Sequence, residues 1–246
     1  MLAKVTRILV IIILGIVLLN VVLFLLFSIP AVQKRAADFA LEKVQPIIDT
    51  RVSLDGIRIR LFNRVQLNGL YVEDQQQDTL LYAGSIITRI LPWNLLSNRV
   101  AVQKLSLEDF TARVHRASPE EPFNFQFIID SFAKEDTTVV KEKKKSWRVT
   151  ADDIVLKSGR LSYHVLSVPL TPGVFNASRL NVEDFNFRGQ VDFNGIEEME
   201  AEVKQLTFRE SNAGINVDKL TAHFRSEGTR FEGDRVTLAM KLQDRL

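Results

Sequence analysis

LSLEDF (Leu105–Phe110) returns 75 residues later as LNVEDF (Leu180–Phe185). In both, apolar residues take alternate positions, an Asp follows, and Phe comes next. Alternation at period two predicts a strand with one apolar face. The interruption is equally informative. The residue two before the Asp is apolar and so is the residue just after it, so the pattern slips by one position. In a regular strand that slip would turn the second half to the opposite face. One extra residue in a β-bulge restores it, and Asp and Gly tolerate the backbone geometry that a bulge demands.

The same form recurs along the chain. Leu105, Leu107, Phe110 and Ala112 surround Asp109; Leu180, Val182, Phe185 and Phe187 surround Asp184; Val149, Ala151, Ile154 and Leu156 surround Asp153. Gly takes the centre at Gly56, among Val52, Leu54, Ile57 and Ile59, and at Gly69, among Val65, Leu67, Leu70 and Val72. Lys219 centres another copy and Arg235 a weaker one. The irregular spacing of the centres excludes a fixed-period helical solenoid. Bent antiparallel strands, each adding to one apolar row, fit the pattern. Ile57, Ile59, Leu70, Val72, Phe110, Ile154, Leu156, Phe185, Phe187 and Leu220 are the candidate residues of that row. A sheet with one apolar face must cover it. A second sheet would make a sandwich; otherwise the face stays open to an apolar ligand, and periodicity leaves both possible.

Ahead of the strands, residues Ile8 to Phe27, with Leu18 near the middle, carry no charge, and Asn20 is their only polar side chain. Twenty residues at about 1.5 Å each span roughly 30 Å, the hydrocarbon thickness of a bilayer. The run exceeds a signal peptide's apolar region and lacks an A-x-A site, which predicts an uncleaved anchor. Lys4 and Arg7 lean the N-terminus towards the cytoplasm, although Lys34 and Arg35 follow the span. Residues 31–49 read as a short amphipathic helix, with Val32, Ala36, Phe39, Ala40 and Val44 at helical spacing and Pro46 ending or kinking it. It either lies on the membrane surface or caps the next domain's core. PWNLLSN (Pro92–Asn98) and FQFIIDSF (Phe125–Phe132) suggest two further short helices. The organisation is therefore 1–29 cytoplasmic tip and anchor, 30–49 amphipathic helix, and 50–246 β domain.

Chemistry is sparse. The chain has no Cys, which removes thiolate metal sites, redox motifs and disulfides. His115, His164 and His223 fall on separate strands, and no P-loop, G-x-S-x-G or H-E-x-x-H is present. Glu198, Glu200 and Glu202 alternate with apolar residues as a solvent face, beside Glu197, and Asp152–Asp153 form no patterned pair. The expectation is no enzyme, no catalytic or metal residues and no cofactor. Net charge is only +2, which argues against a nucleic-acid partner. The lysine run at 141–145 reads as a solvated loop or a headgroup contact. Trp93 and Trp147 read as core or interfacial residues.

SIPAVQ at the anchor's exit, LNGLYVEDQQQDTLLYAGSI (Leu67–Ile86), FNFQFIIDSF (Phe123–Phe132) and the LxLEDF strands together resemble the TamB family of translocation and assembly modules. The phrasing is nearest to Bacteroidota members, within the wider AsmA-like superfamily. The resemblance covers essentially the whole chain, and DTLLYA and NFQFIID are its most specific pieces. It implies a mainly β fold: an elongated, folded-over antiparallel sheet with an apolar groove, hung from the inner membrane of a Gram-negative bacterium into the periplasm. It also implies phospholipid as cargo, a part in outer-membrane protein assembly and an outer-membrane barrel as partner. Family members run several times longer, so the resemblance implies an N-terminal portion without the region that meets that barrel. The competing expectation is a membrane-tethered β-sandwich scaffold that transports nothing.

Overall fold

The structure is a computed structural model that describes residues 2–60, 64–90, 99–134, 148–193, 198–227 and 230–242. The PWNLLSN stretch, Trp93, Trp147, the lysine run and Glu197 lie outside the described residues, as do the side chains of Ile8, Ile59 and Glu198.

Helix α1 (Leu2–Leu26) contains one stretch, Leu9–Leu26, long and apolar enough to cross a bilayer, and none of it is buried inside the protein. Asn20 bonds within its own helix, its Nδ2 donating to the Ile16 carbonyl at 2.8 Å. Helix α2 (Pro30–Ile48) begins with Pro at the first turn, where a missing N–H costs nothing. It runs two residues past Pro46 and closes on Asp49, whose left-handed backbone (φ 45°) lets its N–H reach the Gln45 carbonyl. The buried stripe of α2 is Ala37, Leu41 and Ile48, whereas Phe39 and Val44 face outwards. Of the two roles expected for this helix, capping the β domain is the one its buried side fills.

All ten described strands belong to one sheet: β1 (Val52–Ser53), β2 (Gly56–Arg60), β3 (Arg64–Glu73), β4 (Thr79–Ile90), β5 (Arg99–Arg116), β6 (Arg148–Val165), β7 (Arg179–Phe193), β8 (Glu198–Glu210), β9 (Ile215–Glu227) and β10 (Arg230–Leu242). β1 and β2 share one edge beside β3; the rest follow in chain order to β10. Helix α3 (Gln126–Lys134) lies between β5 and β6 in the chain, starting one residue later and ending two residues later than the Phe125–Phe132 stretch expected to be helical. Every pairing is antiparallel except β5 with β6, which is parallel. A parallel neighbour needs a crossover of a dozen residues or more, and the long segment holding α3 supplies it.

The expected bulges are visible in the backbone. Gly69, Asp109, Asp184 and Arg235 all have left-handed φ, between 52° and 61°. In β6 the left-handed residue is Ser158 (φ 54°) instead of Asp153, although the register also shifts between Ala151 and Ile154. Neither Gly56 nor Lys219 is left-handed; the copy at Lys219 survives as a register shift between β9 and its neighbours. Across β4, Gly84 sits where Gly69 and Asp109 would face one another, so the kinks of β3, β5, β6 and β7 are neighbours in space.

A β-branched residue fits the left-handed region poorly, at about 1–2 kcal/mol. Asp184→Val is therefore expected to unfold at lower urea than Asp184→Gly by a difference of that size, followed by far-ultraviolet circular dichroism of the detergent-solubilised chain.

Candidate functional site

The bulges keep one face apolar from edge to edge. In register, Ile57 of β2 pairs with Leu67 of β3, Leu67 with Ile86 of β4, Ile86 with Leu107 of β5 and Leu107 with Leu156 of β6. Leu156 pairs with Phe187 of β7, then come Leu206 of β8, Leu220 of β9 and Leu238 of β10. Nine strands thus contribute one aliphatic or aromatic residue each to a single line. At about 4.8 Å per strand that line is roughly 38 Å long.

A second line on the same face holds Leu70, Ala83, Phe110, Gly159 and Phe185. Here the two copies of the LEDF phrase meet. Asp109 and Asp184 each turn the following Phe towards β6, and the two rings approach edge to face, with centroids 6.2 Å apart. Gly159 makes room for them: a Cβ there would stand 2.2 Å from Phe110 Cζ. Phe110 is consequently buried, at 4% exposure. A third line runs Val65, Thr88, Leu105, Ile154, Gly189, Val203 and Ala222, with the Ile59 backbone paired to Val65 at its start.

Ile57, Leu156, Phe187 and Leu220 therefore belong to the first line, Leu70, Phe110 and Phe185 to the second, and Ile154 to the third. Val72 differs from them in being covered, at 8% exposure. It packs with Ile48, Val52 and Leu80 beneath Leu41 and Ile47 of α2 and beneath Phe125, Phe127 and Ile128 around α3. That closed end joins the two most specific stretches of sequence. Asn124 Nδ2 donates to Asp74 Oδ2 at 3.0 Å, and its backbone pairs with His115 beyond the end of β4. Asp74 Oδ1 in turn accepts the backbone N–H of Gln76 and of Asp78, closing the β3–β4 turn. Away from this end the first line is half-buried, and at the β10 edge Leu238 is 50% exposed. Sequence reasoning left Leu67, Ile86, Leu107, Leu206 and Leu238 off the candidate row; pairing register, which one strand's pattern does not contain, is what adds them.

The opposite face is mostly polar, with Ile87 and Val155 paired in line with Gln66, Ser106 and Arg188. Gln66, buried there, bonds Asn68 Oδ1 and Ser85 Oγ at 2.8 and 3.2 Å. Lys157 pairs with Glu108 at 3.1 Å, and Asp153 sits between Lys104 and Arg188 at 3.6 and 3.3 Å. Pairs this exposed contribute little stability, about 0–1 kcal/mol each; their value here is to mark which side meets water. Two cavities, of about 540 and 390 Å³, have charged side chains on their walls and none of the nine residues of the first line. The larger brings His115 and His164, directly paired between β5 and β6, beside Arg113 and Arg160. His223 lies elsewhere, between Glu200 and Asp234. Among the described residues no group of three or more carboxylate and His side chains is arranged to hold a metal ion.

No family model, curated protein or solved structure matches the chain.

Overpacking at the Phe110–Phe185 contact sets a test of this face. Gly159→Ala is expected to lower unfolding stability by about 1–3 kcal/mol. Combining it with Phe110→Ala should cost less than the sum of the two single changes, read from urea midpoints of all four proteins.

Proposed function

We propose that this chain is an inner-membrane-anchored periplasmic protein of envelope biogenesis, of the TamB kind its sequence resembles, and that the apolar face of its sheet carries phospholipid acyl chains between membranes. One observation supports the reading above the others: the unbroken line from Ile57 to Leu238, none of whose nine residues belongs to the cluster packed under α2 and the α3 region. A line of roughly 38 Å is more than twice the depth of one leaflet, about 15 Å of hydrocarbon. Each methylene transferred from water to such a surface is favoured by about 0.8 kcal/mol. A chain lying along the line therefore needs no specific pocket, and it can slide because one strand's contribution resembles the next.

The anchor fits the same reading. A helix able to cross a bilayer leads directly into α2, whose far end packs on the first strands. The line would then start beside the membrane that supplies lipid. A role in outer-membrane protein assembly, with a barrel as partner, belongs to the proposal through the resemblance alone.

The test is lipid retention. Residues 31–246, exported to a bacterial periplasm and purified without detergent, are expected to carry phospholipid at defined stoichiometry in native mass spectrometry. Phe187→Asp with Leu220→Asp should remove it, by burying two carboxylates in the line. These positions are chosen because Phe185 also holds Phe110 in place. A folded, monomeric, lipid-free protein would refute the conduit and favour the tethered scaffold.

A further inference from the structure

Three strands at the open edge of the sheet are tied together by one imidazole. His223 of β9 has Asp234 Oδ1 of β10 at 2.7 Å from its Nδ1 and Glu200 Oε1 of β8 at 2.8 Å from its Nε2. A neutral imidazole has one N–H and one lone pair, so it can satisfy only one carboxylate and must turn its lone pair on the other. Two carboxylates at hydrogen-bond distance on opposite sides of the ring call for the imidazolium. The ring is also sheltered, with 13% of its side chain exposed. Asp234 directly precedes the left-handed Arg235, where the β9–β10 register shifts. The attachment therefore falls where the strand ladder is interrupted.

We propose that His223 is a proton-operated latch for the edge strand β10. Charged, it links Asp234 across β9 to Glu200; neutral, it gives up one of those two bonds and β10 detaches more readily. Among the described residues β10 pairs with β9 alone, so little else there compensates. Since β10 supplies Leu238, paired with Leu220 of β9, the latch sets whether Leu238 stays in the apolar line.

The surrounding charges favour the imidazolium. Glu200 and Glu202 face it from β8, Asp234 and Glu232 from β10, and Asp192 and Asp152 of β7 and β6 border the adjoining cavity. Arg225 of β9 and Arg235 of β10 oppose them, Arg225 standing 3.5 Å from Glu200 and Arg235 3.6 Å from Asp234. The bonds to Glu200 and then Asp234 raise the His223 pKa above its ordinary value, and both carboxyls are lowered by their bonds to His223. A raised folded-state pKa gives stabilisation that is complete below the ordinary imidazole range and is lost as pH rises through the raised value.

The experiment uses the full chain in lipid nanodiscs. Imidazole titrations by NMR give the His223 pKa beside those of His115 and His164. Hydrogen exchange, corrected for its intrinsic pH dependence, gives the protection of β10 amides between pH 6 and 9. His223 is expected to titrate above the ordinary imidazole value. β10 protection should fall with rising pH by about tenfold for each unit by which the His223 pKa exceeds that of an unfolded imidazole. In His223→Gln the pH dependence should vanish, whatever the remaining level of protection. Protection of β10 that stays constant from pH 6 to 9, or that keeps its pH dependence in His223→Gln, would overturn the latch.

Discussion

Everything in this sheet depends on a one-residue insertion made repeatedly at matching heights. A strand alternates its side chains, so an unbroken strand of 15 or 18 residues, as β7 and β6 are, must keep perfect alternation or lose its apolar face. This sequence breaks the alternation and compensates with a left-handed residue at the break. Gly69, Asp109, Ser158 and Asp184 do so on neighbouring strands, with Gly84 between the first two. The bulges are therefore mutually supporting: each one's position is defined by its neighbour's. A single displaced bulge would set half a strand against the face next to it.

The cost is an uncovered apolar surface. Small soluble domains normally close such a face with a second layer. Here α2 and the region of α3 close it over β1, β3 and β4, where Ile48, Val52, Val72 and Leu80 form the one dry cluster among the described residues. Further along, no described helix packs on the nine-strand line. The face is thus uneven along its length: its first end packs against α2 and the region of α3, and the remaining strands contribute half-buried apolar residues with no described helix over them. The opposite side carries the ion pairs and both charged cavities, and its side chains do not contribute to the line.

The strands, the long apolar N-terminal helix and the bulges at Gly69, Asp109 and Asp184 were legible because each rests on local pattern. The bulge in β6 was hidden. Its Ser158–Gly159 pair has no apolar side chain after the centre, because the ring that fills that place comes from Phe110 on the neighbouring strand. Asp153 mimics the motif and instead bonds Arg188 and Lys104 on the polar side. On α2 the row of apolar residues did not say which side is buried: Phe39 and Val44 face outwards, whereas Ala37 is buried on the side from which Gln33 and Gln45 bond Arg58 and the Val52 carbonyl. The parallel pairing of β5 with β6 and the meeting of Glu200, His223 and Asp234 depend on register between strands. No window of a single strand contains that information.

The central claim is that the line from Ile57 to Leu238 is a binding surface for acyl chains and the opposite face is not. Photo-crosslinking in living membranes tests it most directly, with a benzophenone side chain placed at Leu107, Phe187 or Leu220 and, on the back, at Lys157 or Gln205. Phospholipid adducts are expected at the first three positions and none at the last two. Adducts of equal yield on both faces, or none along the line, would contradict it.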